Sequence, residues 1–212
     1  MKSYRELANS VIIDSRKNIL MDYDDLLELA GEGRSAFVFR IKGTDKAIKV
    51  FFPAFTHIAQ EESEIYKALQ GDPYYPVLYD SGTNYLVIDY IRGLTLFQCI
   101  ARGIPVTPEK IREIDKALNS ARKKGLNPSD IHLRNIFITA EGQVKLIDVA
   151  RFRQTKTCSQ WNDLKMAFYK YYMKPYFPKR IPEMLLNTIA ALYKKNLIPG
   201  MRIKEKLINW GR

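Results

Sequence analysis

The fold of this chain is decided by the stretch Asn127-Pro128-Ser129-Asp130-Ile131-His132-Leu133-Arg134-Asn135. A helical pattern precedes it. Thr107-Pro108 marks a helix start, and Lys123-Lys124-Gly125 supplies the cations and the glycine that end a helix. A hairpin pattern follows the stretch over residues 136–147. The stretch is therefore predicted to be a loop between a helix and a hairpin.

Three polar side chains in and after this loop have the residue types and the spacing of a candidate catalytic and metal-binding site. An Asp at the start of such a loop can accept the proton of an attacking hydroxyl group, and an Asn five residues later can hold a metal ion. Asp130 and Asn135 have this spacing. Asp148 ends the second strand of the hairpin, where its carboxylate can bind Mg²⁺ through oxygen. Asn, Pro, Ser and Asp are also turn formers, so a purely structural role for Asp130 stays open.

An upstream lysine has a candidate partner on a predicted helix. Side chains alternate along the strand-like run 47–51, so Lys49 shares a face with Ala47 and Phe51. A lysine on such a face needs an anionic partner if it is buried. Glu62 offers one, because it falls within an apolar helical stripe formed by Ile58, Glu62, Ile65 and Leu69. The alternative is two unrelated exposed charges.

Two glycines precede this strand. Gly31 and Gly33 lie between strand-like segments, where a glycine lets backbone amides approach phosphate oxygens. A plain hairpin loop explains the two glycines equally well when they are taken alone.

The order of these motifs resembles the protein-kinase-like superfamily over about residues 26–163. The match is to short bacterial eukaryotic-like serine/threonine kinases, with RIO-type and aminoglycoside-phosphotransferase-like features in the catalytic loop. The resemblance implies ATP and Mg²⁺ as cofactors, with the run 85–91 as the strand and hinge that hold adenine. The residues it implies are Asp130, Lys49 and Glu62 for catalysis; Gly31, Gly33, Val38, Ala47, Lys49, Asp89 and Ile91 for the nucleotide; and Asn135 and Asp148 for the metal.

The chain departs from the family pattern at several positions. Pro128-Ser129 replaces the usual His-Arg before the catalytic Asp, and Val149-Ala150 replaces Phe-Gly after the metal-binding Asp. His132 stands where most protein kinases have Lys, as in aminoglycoside and choline phosphotransferases. Asp163 resembles the buried Asp of a later helix that braces the catalytic loop.

The pattern predicts an α+β, two-lobed protein-kinase-like fold. Residues 1–20 are an N-terminal extension of ambiguous structure. Residues 21–92 form the N-lobe, a small antiparallel sheet plus one helix that binds the nucleotide. Residues 93–212 form a truncated helical C-lobe, with helices predicted at 160–173 and 182–195.

Charge is distributed unevenly along the chain. The net charge is +11, and residues 151–212 carry 14 Lys and Arg against 3 acidic residues. This basic region predicts a surface for an acidic partner such as nucleic acid, although a solvated helical face explains it equally well. No apolar run approaches the roughly 20 residues that span a bilayer, and no signal peptide is apparent. A cytoplasmic location is therefore expected.

The expected function is transfer of the γ-phosphoryl group of ATP to a hydroxyl group, with a protein Ser or Thr as acceptor. One alternative is a small-molecule or lipopolysaccharide kinase, which His132 and the short segment between Asp148 and Asp163 favour. Another is a pseudokinase or nucleic-acid-associated binding module that uses the basic region.

Overall fold

A computed structural model describes residues 2–197 of the 212-residue chain. The expectations for residues 198–212, including the end of the basic region, lie outside the described residues. The strands are β1 (Ile12–Asp14), β2 (Ile19–Asp22), β3 (Leu27–Glu32), β4 (Ala36–Ile41), β5 (Lys46–Phe51), β6 (Leu78–Ser81), β7 (Tyr85–Asp89), β8 (Gly93–Thr95), β9 (Ile136–Thr139) and β10 (Val144–Leu146). The helices are α1 (Tyr4–Ser10), α2 (Thr56–Leu69), α3 (Leu96–Arg102), α4 (Pro108–Lys123), α5 (Gln160–Ala167) and α6 (Glu183–Lys194).

The N-terminal half is an antiparallel sheet with one helix behind it. Its five strands lie in the order β3-β4-β5-β7-β6. The central strand β5 is buried on both faces: Ala47 and Phe51 belong to the main core, and Ile48 and Val50 belong to a second cluster. Lys49 lies on the main-core face, as the alternation predicted. The α+β, two-lobed architecture is confirmed.

The N-terminal extension packs on this sheet. Leu7 and Ala8 of α1 are buried in the second cluster together with Phe39 of β4. The β1–β2 hairpin follows, and the expected boundary at residue 20 falls inside β2. Helix α1 begins with a capping box between Ser3 and Glu6, a signal that is present in the sequence.

The C-lobe contains helices and a small three-stranded sheet of order β10-β9-β8. Strand β8 and helix α3 were not predicted, although the Thr95–Gln98 capping box announces α3. The helix expected over 160–173 is α-helical over Gln160–Ala167 and is followed directly by a π-helical turn over Phe168–Tyr172. This turn stacks the Phe168 and Tyr172 rings, whose centroids are 5.3 Å apart. No helix among residues 2–197 is long and apolar enough to cross a membrane.

The segment that follows α2 attaches the sheet to the C-lobe. The buried Tyr75 hydroxyl donates to the Ala117 carbonyl of α4 at 2.9 Å, and Asp72 accepts from Ser120 on the same helix. The Leu146 amide of β10 donates to the Tyr74 carbonyl at 2.8 Å. These bonds fix the end of α2, the helix that carries Glu62, to α4 and β10 of the C-lobe.

Substitution of Leu7 by Ala tests whether α1 belongs to the N-lobe core. Leu7 is 3% exposed, so its truncation is expected to lower the free energy of unfolding by about 2–4 kcal/mol. Ile12→Ala is the control, because Ile12 is 54% exposed and should change stability little. Urea unfolding followed by circular dichroism measures both. Equal stabilities of Leu7→Ala and the parent protein would contradict the packing of α1.

Candidate active site

The candidate site is organised around Lys49. Its Nζ atom donates to Glu62 Oε2 at 2.7 Å and to Asp148 Oδ1 at 3.1 Å. These residues come from β5, from α2 and from the turn after β10. The predicted pairing of Lys49 with Glu62 is confirmed, and the ammonium also reaches the expected metal ligand.

Because this cluster is largely buried, the charge of each group strongly affects the pKa values of the others. The Lys49 and Glu62 side chains are 11% and 1% exposed, whereas the Asp148 side chain is 47% exposed. Burial alone lowers the pKa of Lys49, but the Glu62 and Asp148 carboxylates reverse this and hold it above its usual value. The Lys49 charge lowers the pKa of Asp148 below its usual value, while burial raises the pKa of Glu62. The ammonium therefore stays charged at neutral pH.

The loop brings Asp130 and Asn135 next to each other. Asn135 Nδ2 donates to the Asp130 carbonyl at 3.3 Å, and the Ile147 amide donates to the Asn135 carbonyl at 3.0 Å. Asp130 and Asp148 both adopt left-handed backbone conformations, with φ of 60° and 57°. Such conformations are unfavourable for residues other than glycine, and clusters of them are typical of functional sites.

The two glycines precede and follow the end of β3. Gly31 pairs with Val38, and Val38 pairs with Lys49 on the next strand. A Cβ atom at Gly31 would meet nothing within 4 Å, and one at Gly33 would meet only the Ala36 carbonyl at 3.6 Å. Packing within the protein therefore does not require glycine at either position. Open space beside these backbones is what a phosphate-binding loop needs.

The expected adenine-binding segment lies at the end of β7. The Asp89 carboxylate accepts from the Val77 amide and the Tyr79 hydroxyl, both at 2.8 Å. Its side chain is thus engaged within the protein, which leaves the backbone carbonyl as the group that could meet a nucleotide. The Ile91 amide donates to no acceptor within residues 2–197. Ala47, which pairs with Ile88, is buried in the core.

The prediction that Asp163 braces the catalytic loop is wrong. The Asp163 carboxylate accepts from Ser159 Oγ at 3.2 Å and from the Tyr193 hydroxyl at 2.7 Å. Both partners lie outside the catalytic loop, because Asp163 faces the start of its own helix and α6. The loop is held instead by Asn127, a residue of the predicted loop itself.

Asn127 ties the catalytic loop to the segment after Asp148. Its amide donates to the Phe152 carbonyl at 2.6 Å, and its Nδ2 donates to the carbonyls of Gln154 and Lys156 at 2.8 and 3.0 Å. The buried Ser129 hydroxyl donates to the Asn127 carbonyl at 2.9 Å. No local pattern announces the bonds from Asn127 to residues 152, 154 and 156, because these partners are more than twenty residues away from it in the sequence.

Two arginines approach Asp130, and the sequence did not predict either contact. Arg151 Nε lies 3.5 Å from Asp130 Oδ2, and Arg34 Nη2 lies 3.8 Å from the same oxygen. Two other cations of the basic region have partners within the protein. Lys165 pairs with Asp115 at 3.0 Å, and Lys179 donates to the Tyr172 carbonyl. The acidic or nucleic-acid partner expected for this region stays a prediction.

Substitutions of Lys49 and Glu62 test the contribution of this pair to stability separately from its contribution to activity. Lys49→Ala leaves the buried Glu62 without a counter-charge and is expected to lower the free energy of unfolding by about 3 kcal/mol. The double variant Lys49→Met/Glu62→Leu replaces both charges by apolar groups and should recover most of that loss while staying inactive. Urea unfolding and a phosphoryl-transfer assay measure the two properties.

A control for this prediction lies on the same helix. Lys67→Ala removes an exposed ion pair with Glu64 and should leave stability and activity almost unchanged. A Lys49→Ala protein that is as stable as the parent would show that Glu62 does not depend on Lys49 as a buried counter-charge.

No protein-family model matches the chain. It is 46% identical over 194 residues to "Putative serine/threonine-protein kinase YrzF" of Bacillus subtilis (strain 168), with 90% of each protein covered. It is 32% identical over 114 residues to "Probable serine/threonine-protein kinase CA_C1728" of Clostridium acetobutylicum, covering 51% of this chain and 17% of that protein. Identity to "Protein kinase C zeta type" of Oryctolagus cuniculus is 28% over 147 residues, which is 61% of this chain and 25% of that protein. On the 46% identity that extends over nine-tenths of its length, the chain belongs to the protein-kinase-like family.

Proposed function

We propose that this kinase transfers the γ-phosphoryl group of ATP, with Mg²⁺, to the hydroxyl group of a protein Ser or Thr. The observation that carries the proposal is the meeting of Lys49, Glu62 and Asp148, because Lys49 and Asp148 are separated by 99 residues yet are 3.1 Å apart. Phosphoryl transfer depends on positioning and on neutralising charge. A cluster of this kind serves both needs.

The residues present fit a magnesium–nucleotide complex. Asp148 is half-exposed and uses one carboxylate oxygen for Lys49, while Asn135 uses its Nδ2 within the loop and keeps its Oδ1 for a ligand. Residues 2–197 contain no cluster of three metal-ligating side chains. Mg²⁺ bound with nucleotide phosphates needs only one or two protein carboxylates, since phosphates and water complete its shell. Bound there, the ion would offset negative charge on the phosphate oxygens.

The N-lobe residues have matching roles toward the nucleotide. The backbone around Gly31 and Gly33 would approach the phosphates, and Lys49 would contact them from the floor of the cleft. The Asp89 carbonyl and the Ile91 amide would hydrogen-bond adenine, with Val38 and Ala47 packing against the base. In this arrangement Glu62 touches no substrate, so it acts as a positioning residue for Lys49.

Asp130 is the proposed base. Its side chain is one-quarter exposed, so a hydroxyl group from solvent or from a docked partner can reach it. Asp130 would orient the acceptor hydroxyl group and take its proton as the new oxygen–phosphorus bond forms. The Asn135 and Asn127 hydrogen bonds hold the loop in the conformation that presents this carboxylate.

The Bacillus subtilis relative favours a protein acceptor. The match covers 90% of that protein, whose name describes a serine/threonine-protein kinase. One observation favours a small hydroxyl-bearing acceptor instead. Residues 149–159, between β10 and α5, contain neither helix nor strand, so this segment forms only a small surface for a polypeptide. A pseudokinase is disfavoured because Lys49, Asp130, Asn135 and Asp148 are all present.

Replacement of Asp130 by Ala tests the proposed function. We expect the rate of phosphoryl transfer to fall about a thousandfold, which corresponds to about 4 kcal/mol of barrier. The melting temperature should fall by only a few degrees, because Ala tolerates the left-handed backbone at this position less well than Asp does. The assay follows label from [γ-³²P]ATP into generic protein substrates and a panel of small alcohols, with Mg²⁺ or with EDTA. Phosphoamino-acid analysis of the labelled proteins identifies the acceptor residue.

The exposed Asp25 provides a matched control, and Asp25→Ala should retain full activity. Activity of a folded Asp130→Ala protein close to that of the parent would refute the assignment of the base. Label in small alcohols but not in proteins would replace the protein acceptor by a small molecule.

A further inference from the structure

The carboxylate of Asp130 has two guanidinium neighbours that the proposed function does not use. Arg151 Nε lies 3.5 Å from Asp130 Oδ2 and Arg34 Nη2 lies 3.8 Å from it. Arg34 comes from the loop between β3 and β4, and Arg151 comes from the turn after Asp148. A site that must bind an acceptor beside this carboxylate therefore already contains positive charge from both lobes.

The two arginines differ in how firmly they are held. Arg151 stands beside the fully buried Phe152, and Val149 at the other end of the turn is also fully buried. The Phe152 amide donates to the Val149 carbonyl at 2.9 Å, and the Phe152 carbonyl accepts from the Asn127 amide at 2.6 Å. The backbone that carries Arg151 is thus fixed to the loop that carries Asp130. The side chain of Arg34 is 80% exposed and that of Arg151 is 57% exposed. The backbone beside Arg34 is hydrogen-bonded within the N-lobe, where the Gly33 amide donates to the Ala36 carbonyl and the Ser35 carbonyl accepts from the Phe52 amide, whereas the backbone of Arg151 is joined to the loop that carries Asp130.

The charge around the site explains why such a cation is needed. Lys49 already faces the two carboxylates of Glu62 and Asp148, so much of its charge is offset within the protein. Among residues 2–197, the cations within 4 Å of the Asp130 carboxylate are Arg34 and Arg151. Negative charge on the transferred group is met most effectively by donors that are positioned before the reaction.

We propose that Arg151 is a further catalytic residue, whose guanidinium group binds an oxygen of the phosphoryl group during its transfer. This role rests on the proposed function. The acceptor oxygen forms a bond to the γ-phosphorus while the bond to the β,γ-bridging oxygen breaks. The bridging oxygen leaves with the electron pair on ADP, and the acceptor proton goes to Asp130.

Distances favour the phosphoryl group over other targets of Arg151. An acceptor oxygen within about 3 Å of Asp130 brings the bonded phosphoryl group beside a guanidinium group that is already 3.5 Å from that carboxylate. A planar guanidinium group can donate two parallel hydrogen bonds to phosphoryl oxygens, which an ammonium group cannot do. An acidic side chain elsewhere on the acceptor would lie farther from Asp130.

The kinetic test uses Arg151→Ala and Arg151→Lys in the full chain. We expect Arg151→Ala to lower kcat about a hundredfold or more, with the KM for the acceptor and the Kd for ATP changed less than about threefold. Arg151→Lys should recover only part of the rate, and added guanidine should partly rescue Arg151→Ala. The control is Arg122→Ala, which removes an exposed arginine whose guanidinium group donates to Asn119, and it should keep the parent kcat.

A binding measurement tests the same role without turnover. Calorimetric titration with ADP and Mg²⁺, with and without aluminium fluoride, compares ground-state binding with binding of a planar phosphoryl mimic. Arg151→Ala should bind ADP like the parent and lose most of the added affinity that aluminium fluoride gives.

The outcomes separate the two proposals. An active parent protein with undiminished kcat in Arg151→Ala, or equal enhancement by aluminium fluoride in both proteins, overturns the role of Arg151 alone. A loss confined to the KM for acidic acceptors also overturns it and assigns Arg151 to acceptor recognition. A parent protein that transfers no phosphate to any acceptor overturns the proposed function and this role together.

Discussion

The buried ion pair between Lys49 and Glu62 is the interaction on which the rest of the site depends. An ammonium group on a core-facing strand is tolerated only if a carboxylate meets it there. That requirement fixes the position of α2 against β5, because Glu62 is the acidic residue of the buried face of α2. It also leaves the ammonium free to reach Asp148 of the C-lobe at 3.1 Å. The contacts of Lys49 therefore join β5, α2 and the turn after β10 at one point.

Two aspartates of the candidate site adopt a backbone conformation that costs free energy. Asp130 and Asp148 are left-handed, and the structure holds both by hydrogen bonds and packing around them. Asn135 holds the Asp130 carbonyl, Val149 buries the chain immediately after Asp148, and Asn127 joins the two segments through the Phe152 carbonyl. The stability lost at two residues is exchanged for carboxylates that face cations, Asp148 toward Lys49 and Asp130 toward Arg151.

How much the sequence predicts depends on whether a contact is encoded by local periodicity. Alternation on β5 and the stripe on α2 predicted that Lys49 meets Glu62, because each pattern fixes one face of one element. The role of Asp163 was implied by the family resemblance and not by a local pattern. A helix position does not say which neighbouring element will bind its carboxylate, and here Ser159 and Tyr193 do so. Strand β8 is three residues long, and its partner β9 lies more than forty residues later in the chain, so no local hairpin pattern announces it as one announces the equally short β10.

The short segment after Asp148 changes how the catalytic loop is held in this chain. With Asp163 engaged elsewhere, Asn127 bonds three carbonyls between residues 152 and 156. The loop that carries Asp130 and the turn that carries Arg151 are consequently one hydrogen-bonded unit. Any force that displaces the turn, including a docked acceptor, also acts on the carboxylate of Asp130. The hydrogen bonds of Asn127 thus couple the proposed base, Asp130, to the proposed phosphoryl-binding cation, Arg151.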